Sequence, residues 1–405
     1  MDVGERMEVV RELCSFENRL AGTDAERRAA NWLAERLRAR GRRAEVEPTH
    51  VHPQYALVEA AHCALGFAGS LAAIPVPPLG FAIVLVAAVS MYLDVNARFY
   101  LLRRLFFRRA SQNVVSPGKG PDAPARLFLC AHYDAARTGA AFEPKRVARA
   151  TRLAQRSPVP LGPFRVLFWS LAILLPILGA RMAGVDSGLL SLLQLLPTIV
   201  LLVGVFLLTD IELSDVVPGA NDNASGVAIV LSAAEELDAD PPANLEVWVL
   251  LTGGEECLME GMRAFVRSRR KKLDREGTFF VVLDSVGRGT IRYETGEGPA
   301  VTYEMDRRLV QLCEAIAAAD RDDGDRYGAE PFRNGVGSDA LPARLAKLRA
   351  IRLTCLEDGA LAPANYHRPE DRPGALDEGA LERAHAFTVE LARAIDADVG
   401  RRMMR

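Results

Sequence analysis

Seven side chains able to hold a divalent cation or move a proton stand beside apolar segments of this chain. They are His132 and Asp134 in HYD, Asp222 in GANDNASG, Glu255 and Glu256 in GGEE, Asp284 in LDSVG, and His367 in NYHRPED. Imidazole nitrogen mixed with carboxylate oxygen is a donor set that suits zinc. A carboxylate shared by two ions holds them roughly 3.5–4 Å apart, the spacing of co-catalytic pairs. One more carboxylate beside the ligands, not itself bound, can act as general base. Each piece alone has an ordinary explanation. A buried histidine is commonly just hydrogen bonded, a Glu-Glu pair is commonly solvated, and DNASG can cap a helix through Asn223 or Ser225.

The elements that carry these residues bring them together. RLFLCAHYD (126–134) reads as a buried strand running into His132 and Asp134. LEVWVLLTGG (245–254) is a strand running into Glu255 and Glu256, and TFFVVLD (278–284) one ending at Asp284. Helices are expected over 224–238, 260–272, 302–319 and 377–397, with a strand near 349–355 before the His367 loop. Residues 5–40 read as two helices around RLAGT, ended by Gly41, and RRAEVEP (42–48) as a short strand. Strands alternating with helices imply an α/β fold, a mostly parallel central sheet flanked by helices. Sites in such sheets gather at the carboxyl ends of strands. One imidazole and several carboxylates therefore converge on one edge, and His367 can add a second imidazole. No internal repeat marks a solenoid.

The chain has 405 residues, 49% hydrophobic and 25% charged, with formal net charge -2. No global basic field points to nucleic acid. The six cysteines are scattered without CxxC, which fits a reducing compartment. The first residues lack the basic-then-apolar pattern of a cleavable signal peptide. Residues 60–93 contain no Asp, Glu, Lys or Arg, and PVPP at 75–78 breaks them into halves near 58–74 and 79–94. Each half is short for a crossing, so this is either a transmembrane hairpin or a re-entrant or buried one. Residues 164–183 and 188–209 form a second, more clearly membrane-spanning hairpin joined by GVDS. Arg98, Arg103, Arg104, Arg108 and Arg109 follow the first hairpin; Lys145, Arg146, Arg149, Arg152 and Arg156 precede the second. By the positive-inside rule the hydrophilic bulk is cytosolic. Lys145–Arg156 is either a basic helix on anionic lipid or a solvated helix face. His132 and Asp222 must share a site across 135–209, so the chain must cross the bilayer an even number of times there, and paired hairpins satisfy this.

Taken in order, HYD, GANDNASG, GGEE, LDSVG and NYHRPED resemble the zinc aminopeptidases of metallopeptidase family twenty-eight. That family also contains glutamate carboxypeptidases and is similar to glutaminyl cyclases. The resemblance covers about 16–50, 126–134 and 215–398, leaving the hairpins as additions. It implies that His132 and Asp284 bind one zinc, that Glu256 and His367 bind another, and that Asp222 bridges both, with a cis peptide to Asn223. It implies Glu255 as general base and acid, Asp134 as the group orienting His132, and Tyr366 as a donor to the developing oxyanion. Many relatives carry Ser-Asp-His where this chain has Ser338-Asp339-Ala340, which leaves substrate specificity open.

The organisation expected is therefore 1–55 as the N-terminal part of a peptidase domain, 56–97 as the first transmembrane hairpin, and 98–134 as a basic segment with the first ligand strand. A basic amphipathic linker follows at 135–163, then the second hairpin at 164–209 and the rest of the peptidase domain at 210–405. The function expected is a membrane-anchored aminopeptidase with two zinc ions, acting on peptides with a free N-terminus and partnered by a lipid bilayer, not by nucleic acid. The rivals are a glutaminyl cyclase-like acyltransferase and a non-catalytic scaffold. Asn223-Ala224-Ser225-Gly226 favours the hydrolase over the cyclase. His50, His52 and His62 read as structural. Cys130 and Cys257 read as buried hydrophobes, Cys257 also as an oxidation-sensitive neighbour of the site.

Overall fold

A computed structural model describes residues 1–119 and 123–403. Helices α1 (Val3–Ser15) and α2 (Asp24–Ala39) open the chain. The Asp2 and Thr23 side chains accept from Glu5 N and Glu26 N, satisfying donors that the first helical turns leave orphaned. The strands are β1 (Glu45–Val51), β2 (Arg109–Ser116), β3 (Ala125–His132), β4 (Leu245–Thr252), β5 (Thr278–Leu283), β6 (Thr290–Glu297), β7 (Tyr303–Glu304), β8 (Glu330–Arg333) and β9 (Arg349–Leu356). The helices beyond α2 are α3 (Tyr55–Ala72), α4 (Pro77–Val95), α5 (Pro144–Gln155), α6 (Pro163–Met182), α7 (Gly188–Leu213), α8 (Gly226–Ala239), α9 (Glu260–Arg269), α10 (Arg307–Asp322), α11 (Ala340–Leu345) and α12 (Glu378–Met403).

One sheet carries the order β1-β2-β4-β3-β5-β9-β6-β7, with β8 beside β6. The four central strands β4, β3, β5 and β9 run parallel. The margins β1-β2 and β6-β7 are antiparallel, a detail the alternation of strands and helices did not reveal. Side chains on β3 alternate as a strand's period of two requires. Leu127, Leu129 and Ala131 pack with α1, α2, α8, α10 and α12 on one face, and Phe128 and Cys130 with α9 and α11 on the other. The expected α/β architecture, helices over both faces of a sheet, is the one found.

The two apolar hairpins are α3–α4 and α6–α7, and they pack into a single four-helix bundle around Cys63, Val84, Ala87, Leu171, Leu174 and Leu201. All four helices are long and apolar enough to cross a membrane. Val86, Ile173, Leu196 and Phe206 stay exposed on its outside. Polar side chains of α3 and α7 pair across it: Ser70 Oγ lies 2.6 Å from Thr198 Oγ1, and Gln194 Nε2 donates to Ser70 O at 2.7 Å. The basic segment 144–155 is α5, and none of its residues is buried.

Candidate metal centre

The centre sits where the parallel strands end. His132 is the last residue of β3, level with Thr252 of β4 in the ladder. β4 turns through Gly253 and Gly254 to Glu255 and Glu256, and Gly254 takes φ +67, a left-handed conformation open to glycine. β5 ends one residue before Asp284. Asp222 lies in a buried irregular turn, Ala220–Ser225, just before α8, and its peptide bond to Asn223 is cis. Asn223 ties this turn to β5. Its Nδ2 donates to Leu283 O at 2.8 Å, and its Oδ1 accepts from Gly226 N and Ser285 N at 3.0 and 3.1 Å. His367, at φ +53, enters from the loop after β9.

Asp222 faces an imidazole with each oxygen. Oδ1 is 3.2 Å from His132 Nε2, and Oδ2 is 3.4 Å from His367 Nε2. Asp284 Oδ1 lies 3.8 Å from His132 Nε2, and Glu256 Oε2 lies 3.3 Å from His367 Nε2. Two triads thus share one carboxylate: His132, Asp222 and Asp284, and Asp222, Glu256 and His367. Within each, donor atoms lie within 4.8 Å of one another. Glu255 Oε2 is 4.0 Å from His132 Nε2, and His132, Glu255 and Glu256 form a third such group. The Asp134 carboxylate lies 3.6 Å from His132 Nδ1 and accepts the backbone N–H groups of both Glu255 and Glu256 at 3.1 Å.

The electrostatics favour cations. Four carboxylates, Asp222, Glu255, Glu256 and Asp284, crowd two imidazoles. Burial alone would depress His132, yet Asp134, Asp222 and Asp284 raise it well above its usual range. Burial likewise opposes the charge on His367, but Glu256 and Asp222 push it up to about 10. Asp222, despite burial, is held well below the usual carboxylate range by the two imidazoles. Burial, with Glu256, Asp339 and Asp284 nearby, pushes Glu255 well up. Buried Oε1 of Glu256 and Nδ1 of His367 have no hydrogen-bond partner in the protein. A surplus of buried negative charge with unpartnered donor atoms fits divalent ions, and both imidazoles would then bind as neutral ligands.

Tyr366 stacks on His367, ring centroids 3.9 Å apart, and Phe142 packs on both rings. Burial and the carboxylates of Asp222, Glu256 and Glu255 hold the Tyr366 phenol protonated, so it is available as a donor.

Several positioning groups were invisible in the sequence because their partners lie far along the chain. Asp371 accepts from Asn221 N at 2.7 Å and Asp222 N at 3.1 Å, fixing the shared carboxylate's backbone. Arg19, 1% exposed, donates to carbonyls at both Leu13 and Tyr133 and to Pro218 O and Gly219 O, joining the β3 end to the Asp222 turn. Arg352 Nε sits 3.1 Å from Asp284 Oδ2 and its NH1 donates to Glu294 at 2.8 Å. Asp339 accepts from Thr252 Oγ1 and lies buried among the same charges. The SDA segment therefore does bear on the site, through its aspartate.

The other candidates stay outside. His50 is exposed, His52 pairs with Glu260 at 2.8 Å, and His62 lies 2.8 Å from Ser90 Oγ. Cys130 and Cys257 are fully buried. Burial pushes the Cys257 thiol well up, in keeping with its reading as a buried hydrophobe.

A helix-flanked sheet with paired His/carboxylate triads at its carboxyl edge is a zinc-exopeptidase-like fold. Residues 207–392 match Peptidase family M28, the family that the five motifs resemble. Solved structures with the same fold include a Zn-dependent exopeptidase from Parabacteroides distasonis ATCC 8503, at 12% identity and TM-score 0.53, over 96% of this chain and 97% of that one. A glutaminyl cyclase from Bacteroides thetaiotaomicron is similar at 15% identity and TM-score 0.54, over 97% of each chain. A leucine aminopeptidase precursor from Bacteroides thetaiotaomicron VPI-5482 is similar at 15% identity and TM-score 0.52, over 97% of each chain. At these identities the likeness is one of fold. No curated protein matches the chain.

Proposed function

We propose that this chain is a membrane-anchored aminopeptidase that hydrolyses N-terminal peptide bonds with a pair of zinc ions, its catalytic domain on the cytosolic side. The observation that carries this reading is the Asp222 carboxylate, whose two oxygens face different imidazoles at 3.2 and 3.4 Å. His132 and Asp284 would hold one ion, Glu256 and His367 the other, and Asp222 both. Such ions polarise a carbonyl and lower the pKa of a shared water.

The chain's own residues then have distinct work. Glu255, not needed as a ligand and 4.0 Å from His132 Nε2, accepts a proton from the attacking water and returns it to the departing amine. Asp134 sets where Glu255 stands, since it holds the backbone N–H of that residue and of Glu256. Tyr366 donates to the carbonyl oxygen as charge develops on it. The carboxylate-rich rim favours a substrate bearing a free α-ammonium group.

The bundle supports membrane attachment by its length, apolarity and exposed leucines. Its flanks, Arg98 to Arg109 and Lys145 to Arg156, support a cytosolic catalytic domain.

The test is an aminoacyl-anilide panel and an N-terminal glutaminyl peptide on purified full-length protein, with metal analysis alongside. Released amino acid is expected. Pyroglutamate would instead make the chain a cyclase, and a metal-free, inactive wild type would make it a scaffold. Glu255→Ala is expected to keep its metal and lose about 10²–10⁴-fold in kcat. Unchanged turnover would remove Glu255 from the role of base.

A further inference from the structure

The segment after the first hairpin reaches the turn that follows Glu255 and Glu256. Arg103, 0% exposed, lies eight residues past the end of α4. Its Nε donates to both Asp94 oxygens at 2.9 and 3.1 Å, and its NH2 to Asp94 Oδ1 at 2.5 Å. Asp94 belongs to the last turn of α4 and is itself fully buried. The remaining arm, NH1, donates to the backbone oxygen of Cys257 at 2.8 Å. Cys257 follows Glu256 directly.

The turn so held is strained. Leu258 and Met259 take φ +65 and +60, left-handed conformations that side-chain-bearing residues rarely adopt. Such a turn persists only if its surroundings fix it. Asp134 fixes its start, through Glu255 N and Glu256 N. Arg103 fixes its end. Glu260, which opens α9, stands 3.8 Å from Arg103 NH1 and is paired with His52, just before α3. The turn carrying the base and one metal ligand is therefore gripped on its second side by residues that flank the first hairpin.

We propose that Arg103 is a positioning residue for Glu255 and Glu256, and that the first hairpin completes the hydrolytic site through it. The hairpin is then part of the catalytic apparatus as well as an anchor. The inference rests on the peptidase reading above for its kinetic consequence, but not for its structural one.

The test uses full-length protein in detergent micelles. Asp94→Asn combined with Arg103→Gln removes the most closely paired charges together, while Glu59 and Glu260, which also face Arg103 at 3.8 Å, keep their imidazole partners His62 and His52. Arg263→Gln is the control. The Arg263 side chain grips the same seam through Ala97 O and Arg98 O at 2.8 and 3.2 Å, and its only bond to the turn, from its backbone N–H to Met259 O, is kept in the variant. Amide hydrogen exchange over 254–260 is read first, with β3 as internal standard, and then kcat and KM separately. The double variant is expected to exchange faster over 254–260 alone and to lose about a hundredfold in kcat, with KM within about twofold. Arg263→Gln is expected to resemble wild type in both. Unchanged exchange over 254–260 overturns the positioning role, and faster exchange with wild-type kcat overturns its bearing on catalysis. If the wild type has no turnover, the peptidase reading fails, and the exchange comparison still decides whether Arg103 holds the turn.

Discussion

At the scale of single residues, the centre depends on how carboxylates are held as much as on which are present. Asp371 is the clearest case, because it grips the backbone of the residue that faces both imidazoles. Asp371→Asn keeps the shape and weakens the grip, and zinc affinity measured by competition with a chelator is expected to fall about 10–100-fold. An unchanged affinity would show that the turn holds itself. Glu26 offers a test by pH. Burial, with the charge of Asp134 nearby, pushes its carboxyl up to about 8, despite hydrogen bonds from Ser111 Oγ and Gly22 N. The folded state thus holds the proton more tightly than the unfolded chain, where the carboxyl has its ordinary value of 4.5. The stability this contributes is complete below 4.5 and is lost as pH rises through 8, a change on the order of a few kcal/mol. Denaturant unfolding across that window is expected to show a shallower loss in Glu26→Gln than in wild type. Equal slopes would mean that Glu26 does not hold the proton.

At the scale of elements, the ligand strands were readable because each is an apolar run that stops at a donor residue: β3 at His132, β4 before Glu255, β5 before Asp284. Of the margins only β1 was legible, in RRAEVEP at 42–48. β2 reads RASQNVVS and β6 TIRYETGE, with polar residues where alternation should appear. Their polar groups are satisfied by distant partners, Asn113 by Gly261 O and Glu294 by Arg352, which no local pattern carries. Arg19 was unreadable for the same reason. The two hairpins were readable by apolarity, but not their fusion into one bundle. That fusion depends on close approach at small residues. A Cβ on Gly66 of α3 would lie 2.3 Å from Leu171 Cδ2 of α6 and 2.9 Å from Leu201 Cδ1 of α7. Gly66→Val is therefore expected to wedge the hairpins apart and destabilise the bundle by about 1–3 kcal/mol. Thermal unfolding in detergent would register this as a lowered Tm, and a wild-type Tm would contradict the packing.

At the scale of the whole molecule, the account makes one side of the bilayer distinct from the other. The α6–α7 turn contains Asp186, whose side chain is 86% exposed, while Asp358 lies in an exposed loop of the catalytic domain. Five of the six native cysteines are buried, so an introduced thiol reports with little background. In intact cells Asp186→Cys is expected to react with a membrane-impermeant maleimide, and Asp358→Cys only after lysis. The reverse pattern would invert the proposed orientation, and labelling of both before lysis would remove the membrane span. Because His132 and Asp222 meet across the 135–209 segment, α6 and α7 must cross together or not at all.

The most direct measurement is the metal content of purified full-length protein by mass spectrometry, wild type beside Asp222→Asn. The account predicts about two zinc equivalents per chain in the wild type. It predicts a loss of most of both in the variant, because one carboxylate serves both ions. A wild type that takes up no divalent metal, or an Asp222→Asn protein that keeps the full complement, would contradict it.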